Sequence, residues 1–160
     1  MLPDKTLTLG WREWVGLPKL GLPAIKAKVD TGARTSTLHA FELRPFSRDG
    51  KNFVEFKIHP LQKDADTVIT STAEVIDERY VTDSGGHREK RLIIVTPVTI
   101  GAYSWPIEMT LTARDNMMFR MLLGRTAIKG IANVDPSRSY LVGKKPRALS
   151  SRRMKSHGPK

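Results

Sequence analysis

The chain has no cysteine among its 160 residues, so disulfides, thiolate metal ligands and cysteine nucleophiles are excluded from any account of its chemistry. Aromatic residues are scarce at 7%. Trp11, Trp14 and Trp105 are therefore read as core or interface anchors rather than as a base-stacking platform. No apolar run is long enough to span a bilayer, and Met1 to Trp14 holds no basic segment followed by an apolar core. The expectation is a cytoplasmic protein with no membrane contact. There is no glycine-rich phosphate loop. The four histidines, His39, His59, His87 and His157, form no His-Glu-x-x-His or other close pair. Neither a metal nor a cofactor is expected.

Acidic side chains are also few, 16 against 27 basic ones, for a formal charge of +11. The imbalance is local. Gly143 to Lys160 carries seven Lys or Arg and no acid, which leaves the rest of the chain at only +4. This terminal stretch has few apolar groups and no periodicity, so it is expected to be a disordered tail. It reads either as a solubilising terminus or as an arm for RNA, the ribosome or an acidic partner, held by salt-sensitive contacts. Nucleic acid is expected through the tail only. Residues 1–142 are read as one folded domain and residues 143–160 as the tail. A domain of this size buries roughly two-thirds of its unfolded surface.

Strand patterns dominate what is present. Leu7, Leu9 and Trp11 alternate ahead of Gly16 and Pro18. Leu38 to Phe46 and Asn52 to His59 flank Asp49-Gly50, a strong hairpin signal, with Val54, Phe56 and Ile58 on one side. Trp105, Ile107, Met109 and Leu111 alternate with Pro106, Glu108, Thr110 and Thr112 as another half-buried strand. Ser139 to Val142 is expected to be a short strand able to join a dimer-interface sheet, and Met117, Met118 and Met121 to be packing residues. Val68 to Val81 turns at Asp83, Ser84, Gly85 and Gly86 and returns through Arg91 to Ile100. The glycine pair suits a mobile tip over a cleft, admitting substrate and excluding water, although a long surface hairpin has the same pattern.

The chemistry-bearing segment is Ala24 to Ala40. Ile25, Ala27 and Val29 point one way and Lys26 and Lys28 the other, and this strand delivers Asp30 into the turn Asp30-Thr31-Gly32-Ala33. Gly32 lets backbone approach the carboxylate, while Thr31 and Ala33 are small enough for a second copy of the loop to pack alongside. Two such carboxylates share one proton, one acting as base on a water and the other as acid. No second Asp-Thr-Gly exists, so a dyad requires two copies of Asp30 across a two-fold axis, in a homodimer. Asp83-Ser84-Gly85 is rejected as a second catalytic triplet because it lies too close to Asp30 for an intervening lobe and its flanks read as a turn.

Met121-Leu122-Leu123-Gly124-Arg125, followed by a helical-looking Thr126 to Lys129, completes a pair of motifs that resembles the retropepsins, dimeric aspartic peptidases of retroviral type. Read with Leu9 to Val15, Leu17-Pro18, Lys26 to Ala40 and Asp115 to Thr126, the chain resembles the bacterial RimB-like family, which also carries the label ATP-dependent zinc protease. The likeness covers most of Leu9 to Ile131. It implies an all-β, retropepsin-like (acid-protease) closed barrel with a flap hairpin at Asp83, Ser84, Gly85 and Gly86 and one short helix. It further implies an aspartic endopeptidase acting on a peptide or protein substrate, and an association with RimK-type ligases, which add glutamate to a ribosomal protein. An alternative use of the same fold is a non-catalytic module that holds such a ligase or the ribosomal protein.

The resemblance assigns Asp30, Thr31 and Gly32 to catalysis, with Thr31 bracing the paired loops, and gives Ala33, Gly124 and Arg125 supporting places. In retroviral enzymes the residue after Asp-Thr-Gly-Ala is acidic and pairs with the arginine of Gly-Arg, whereas here it is Arg34. Arg125 therefore needs another partner, with Asp115, Glu13 and Glu42 as candidates. Arg34 is either a solvated arginine or a bidentate receiver of an acidic substrate group, with Thr35 and Ser36 beside it at the cleft. His39 either lines the cleft or is an ordinary hydrogen-bonded histidine.

Overall fold

The computed structural model describes residues 2–61, 66–83, 85–114, 118–143 and 145. Its elements follow the alternating patterns closely. The strands are β1 (Leu7–Gly10), β2 (Arg12–Leu17), β3 (Leu22–Asp30), β4 (Ser36–His39), β5 (Phe41–Arg48), β6 (Lys51–Ile58), β7 (Ile69–Thr82), β8 (Arg88–Ile100), β9 (Tyr103–Thr112), β10 (Met121–Gly124) and β11 (Ala132–Asp135). A single α-helix among the described residues, α1 (Arg125–Ile128), begins one residue earlier than the sequence suggests. No helix among the described residues is long and apolar enough to cross a membrane.

Nine strands form one sheet in the order β2-β3-β10-β4-β9-β8-β7-β6-β5. Its first six strands curl until Gly16 of β2 meets Thr99 of β8. One register pair closes the circuit, so the sheet is a ring rather than the regular closed barrel expected. Inside it lie Ile25, Ala27, Leu38, Ile94, Met109, Leu111, Met121 and Leu123, all essentially without solvent contact. Each fully buried aliphatic side chain of this kind contributes about 1.5–3 kcal/mol.

The β5–β6 hairpin turns at Asp49 and Gly50, with φ of 53° and 76°. Two left-handed residues in succession match strand twist, which is why Asp-Gly marks this turn. Its inner face buries Val54, Phe56 and Ile58. In β9 the polar alternates behave unexpectedly, because Thr110 and Thr112 are as buried as Met109. The Thr110 hydroxyl meets Thr37 Oγ1 at 3.0 Å, and Thr112 donates to Glu89 at 2.8 Å. Met121 is core, whereas Met118, expected to be a packing residue, is 78% exposed. Met117 lies outside the described residues.

The chain's last described segment departs from expectation. Ser139 to Val142 is no strand. The late strand is β11, which runs parallel to β1 in a separate two-stranded sheet, Leu7 opposite Ala132 and Leu9 opposite Val134. The amides of Leu141, Val142 and Gly143 turn instead to the buried carboxylate of Glu13, at 2.9, 3.2 and 2.8 Å. Glu13 also accepts the Gly10 amide at 2.6 Å. Gly143 passes directly over the Trp14 backbone, where a Cβ would collide with the Trp14 carbonyl. Residues 144 and 146–160, the bulk of the expected tail, lie outside the described residues.

Candidate active site

Asp30 ends β3 because the strand's alternation runs out into the small, turn-forming Thr31-Gly32-Ala33. The turn is closed by Ala33 N–H donating to the Asp30 carbonyl at 3.2 Å. Gly32 N–H donates to Asp30 Oδ1 at 3.0 Å. The carboxylate is thereby held by its own loop while remaining half-buried at the surface, with Thr31 and Gly32 exposed around it.

Behind the loop, β10 lies between β3 and β4. It is parallel to β3, with Gly124 opposite Asp30, and antiparallel to β4, with Leu122 opposite Thr37. Gly124 is required here. A Cβ on it would sit 2.6 Å from the Thr35 carbonyl carbon and 2.8 Å from Ser36 N, a backbone collision with no side chain free to yield. Ser36 is wholly buried, and its hydroxyl accepts the Gly124 N–H at 3.0 Å. That gives Ser36 a supporting place rather than the open position at the cleft expected for it.

Helix α1 starts immediately after Gly124, and the free amides of its first turn need acceptors. The Asp30 loop supplies them. Arg125 N–H donates to Ala33 O at 2.9 Å and Thr126 N–H to Arg34 O at 3.0 Å. The Arg125 guanidinium then reaches Gly32 O at 3.2 Å and Thr31 O at 3.5 Å. Four consecutive loop carbonyls are therefore turned toward the helix start. Among the described residues Arg125 thus finds backbone oxygens rather than an acid. Of the candidate partners, Glu13 is occupied with the terminal amides and Glu42 pairs with Lys57 at 2.5 Å, while Asp115 lies outside the described residues. Trp105 holds the helix from beneath, its Nε1–H donating to Ala127 O at 2.8 Å.

Arg34 is exposed and Thr35 half-buried. His39 is buried at the end of β4, with Nδ1 2.9 Å from Arg114 O. The hairpin tip is organised around Asp83, whose Oδ1 accepts the amides of Gly85 and His87, both at 2.9 Å, while Oδ2 pairs with Arg114. These contacts hold the Asp83 carboxyl below its ordinary range, the His87 amide first, then Arg114 and Gly85, against partial desolvation. Gly85 and Gly86 are exposed at the tip; Ser84 lies outside the described residues. Sequence reasoning missed the network beneath this hairpin. Arg91 of β8 is buried, with Nε on Glu89 at 2.6 Å and Nη1 near Thr37 Oγ1 at 3.4 Å. An arginine at an inward register position of β8 was the available signal. Among the described residues no three His, Asp or Glu side chains gather as a metal site.

With the strand-loop-strand-helix arrangement in place, the comparison with known families is decisive. The family described as "Retropepsin-like aspartic endopeptidase RimB" matches residues 8–145. This chain belongs to the RimB-like family. Curated relatives include probable alpha-L-glutamate ligases of Shewanella pealeana, 44% identical over 90% of this chain and 31% of that protein, and of Parasynechococcus marenigrum, 48% identical over 87% and 30%. A third, from Desulfotalea psychrophila, is 45% identical over 84% and 29%. This RimB-like chain spans about a third of the length of the relatives it matches. Among solved structures, a protein of unknown function from Legionella pneumophila shares the fold, with a TM-score of 0.73 and 23% identity over 86% of this chain and 98% of that one.

Proposed function

We propose that this RimB-like chain is an aspartic endopeptidase whose catalytic pair is Asp30 from each of two copies. The observation that carries the reading is the loop itself. Its carbonyls from Thr31 to Arg34 are committed to Arg125 and Thr126, and its half-buried carboxylate is held by the Gly32 amide of the same loop. A loop held in this way can meet its symmetry mate without rearranging. In the pair, the ionised Asp30 takes a proton from water while the protonated Asp30 donates to the peptide oxygen. The resulting tetrahedral diol collapses as a proton passes to the leaving nitrogen. Thr31 and Gly32 brace and surround the carboxylates, and exposed Arg34 is positioned to receive an acidic group of the peptide. The hairpin carrying Asp83, Gly85 and Gly86 serves as the flap.

The test couples oligomeric state to turnover. Sedimentation equilibrium should show a dimer at working concentration, and Asp30→Asn should abolish peptide cleavage while leaving the dimer and the melting temperature unchanged. A strict monomer at high concentration, or undiminished turnover in Asp30→Asn, would rule the dyad out.

A second reading is favoured by the relatives, in which a segment like this chain makes up about a third of proteins called probable alpha-L-glutamate ligases. On that reading the domain is a binding module for a glutamate ligase or for the ribosomal protein it modifies. Capture of a purified ligase by both wild type and Asp30→Asn, with no cleavage of either protein, would support it over catalysis.

A further inference from the structure

The β7–β8 hairpin leaves the main sheet partway along its length. Among the described residues, β8 pairs with β9 only from Ile93, opposite Thr110, to Ile100, and β7 pairs with β6 only as far as Glu74. From Glu78 opposite Leu92 to Thr82 opposite Arg88, the two strands pair with each other alone. Such a two-stranded arm is marginal in water unless it has a face to pack. Glu78, Tyr80, Thr82, Arg88 and Lys90 are exposed on its outer side, and Leu92 at its root packs against the core. The inward positions beyond the root are Arg79, Val81, Glu89 and Arg91. Only one of these four side chains is apolar.

Polar groups hold the arm down instead. Arg91 is 8% exposed; its Nε donates to Glu89 at 2.6 Å, and its Nη1 lies 3.4 and 3.5 Å from the hydroxyls of Thr37 on β4 and Thr110 on β9. The Glu89 carboxylate accepts the Thr112 hydroxyl at 2.8 Å, and Arg79 pairs with Glu108 at 3.2 Å. Each charged group on the inward side therefore reaches β4 or β9. Thr110 Oγ1 donates onward to the Ser36 carbonyl at 3.3 Å, which joins the arm to the strand that follows the Asp30 loop. At the root of the arm the register slips between Val75 and Asp77, and Ile76 is exposed. A bulge of this kind bends the strand and interrupts its ladder.

We propose that this arm is a latched lid, which swings at the Val75–Asp77 bulge and is held on β4 and β9 by the Arg91–Glu89 and Arg79–Glu108 contacts. Polar contacts suit a part that moves. Hydrogen bonds within the protein exchange for hydrogen bonds to water at small net cost, whereas lifting a packed apolar face exposes all of it. Lifting the arm uncovers the Thr37 and Thr110 hydroxyls, which are buried beside Arg91. The pivot lies at the root of the arm, not at its glycine tip. This inference concerns where the arm lies, and it stands whether or not Asp30 is catalytic.

The test exploits the lack of cysteine, because two introduced cysteines on the full chain can carry spin labels. Thr82→Cys on the arm and Lys28→Cys on β3 use exposed positions. Pulsed EPR on labelled protein diluted into unlabelled protein reads the distance within one copy. With Arg79 and Arg91 in place, one narrow distance is expected. Arg91→Met and, separately, Arg79→Gln should broaden it or add a second distance. In the same variants without labels, hydrogen exchange of residues 78–82 and 88–92 should quicken about 10- to 150-fold, while Ile93 to Ile100 keep their protection. Arg79 is half-buried at the surface, so its variant leaves the core intact, and both variants are read well below their melting transitions. Broadening in either variant supports the latch. A distance distribution unaltered in both would overturn the proposal, as would a wild-type distribution that is already broad. Loss of protection running through Ile93 to Ile100 would also overturn it, because the break would then lie in the sheet and not at the bulge.

Discussion

The carboxylate of Glu13 accepts the amide of Gly143 at 2.8 Å, joining the second strand of the fold to a segment 130 residues later. The same side chain accepts three further amides, from Gly10, Leu141 and Val142, and has no solvent exposure. An oxygen acceptor with four lone-pair positions is matched to four donors, which is what a buried carboxylate needs in place of a cationic partner.

Glu13→Gln keeps the shape but turns one oxygen into an N–H donor facing N–H donors. The expected loss is about 3 kcal/mol, given roughly 1.5–3 kcal/mol for a hydrogen bond to a charged group. In a chain of this size that lowers the melting temperature by roughly 6–12 °C. Calorimetry checks the size, and hydrogen exchange should show the amides of Leu141, Val142 and Gly143 losing protection first. Uniform loss across the fold would count against a local clasp.

Gly124→Ala places a methyl group 2.6 Å from the Thr35 carbonyl carbon. Two neighbouring backbones must separate, at an expected cost of about 3 kcal/mol. The displaced strand is the one opposite Asp30, so peptide cleavage should fall more than stability alone explains. Measuring kcat well below the melting transition separates the two effects. Unchanged melting and turnover would show that β10 can shift freely.

Trp105→Phe retains most of the ring and loses the donor to Ala127 O. A buried carbonyl left without a partner costs about 1–3 kcal/mol. The change should appear as faster amide exchange in α1, with the β5–β6 hairpin unaffected. If α1 exchange is unaltered, the helix is held by its loop contacts alone.

Asp83 has a carboxyl held below its ordinary value of 3.8 by the His87 amide, Arg114 and the Gly85 amide. A folded pKa below the unfolded one means that its contribution is fully present above pH 3.8 and is lost as pH falls through the lower folded value. The Asp83 side-chain carboxyl carbon signal in NMR should therefore titrate with a midpoint below 3.8. Asp83→Asn should remove the titration while the asparagine oxygen keeps the turn. A midpoint at or above 3.8 would contradict the arrangement.

Much of the fold could be read from the chain because strand patterns and turn residues are local properties. Ile25, Ala27 and Val29 alternate with lysines whatever surrounds them, and Asp49-Gly50 turns a hairpin through backbone preferences of its own. The same locality placed Asp30 at a strand end and put a short helix after Gly124-Arg125, one residue later than α1 begins. Pairing between distant segments has no such signature. Arg125 had three candidate acids, and among the described residues it meets the carbonyls of Thr31 and Gly32, because β10 lies in register with β3. Ser36 reads as one more polar residue after the Asp30 loop, yet that register turns its hydroxyl inward to Gly124. Ser139 to Val142 has the composition of a strand, but the Glu13 carboxylate beneath it offers better partners than a sheet edge. What the sequence by itself determined was each segment's shape and the chemistry it carries. Which buried donors met which acceptors was decided only by the tertiary structure, because desolvation makes those choices collectively and across the whole length of the chain.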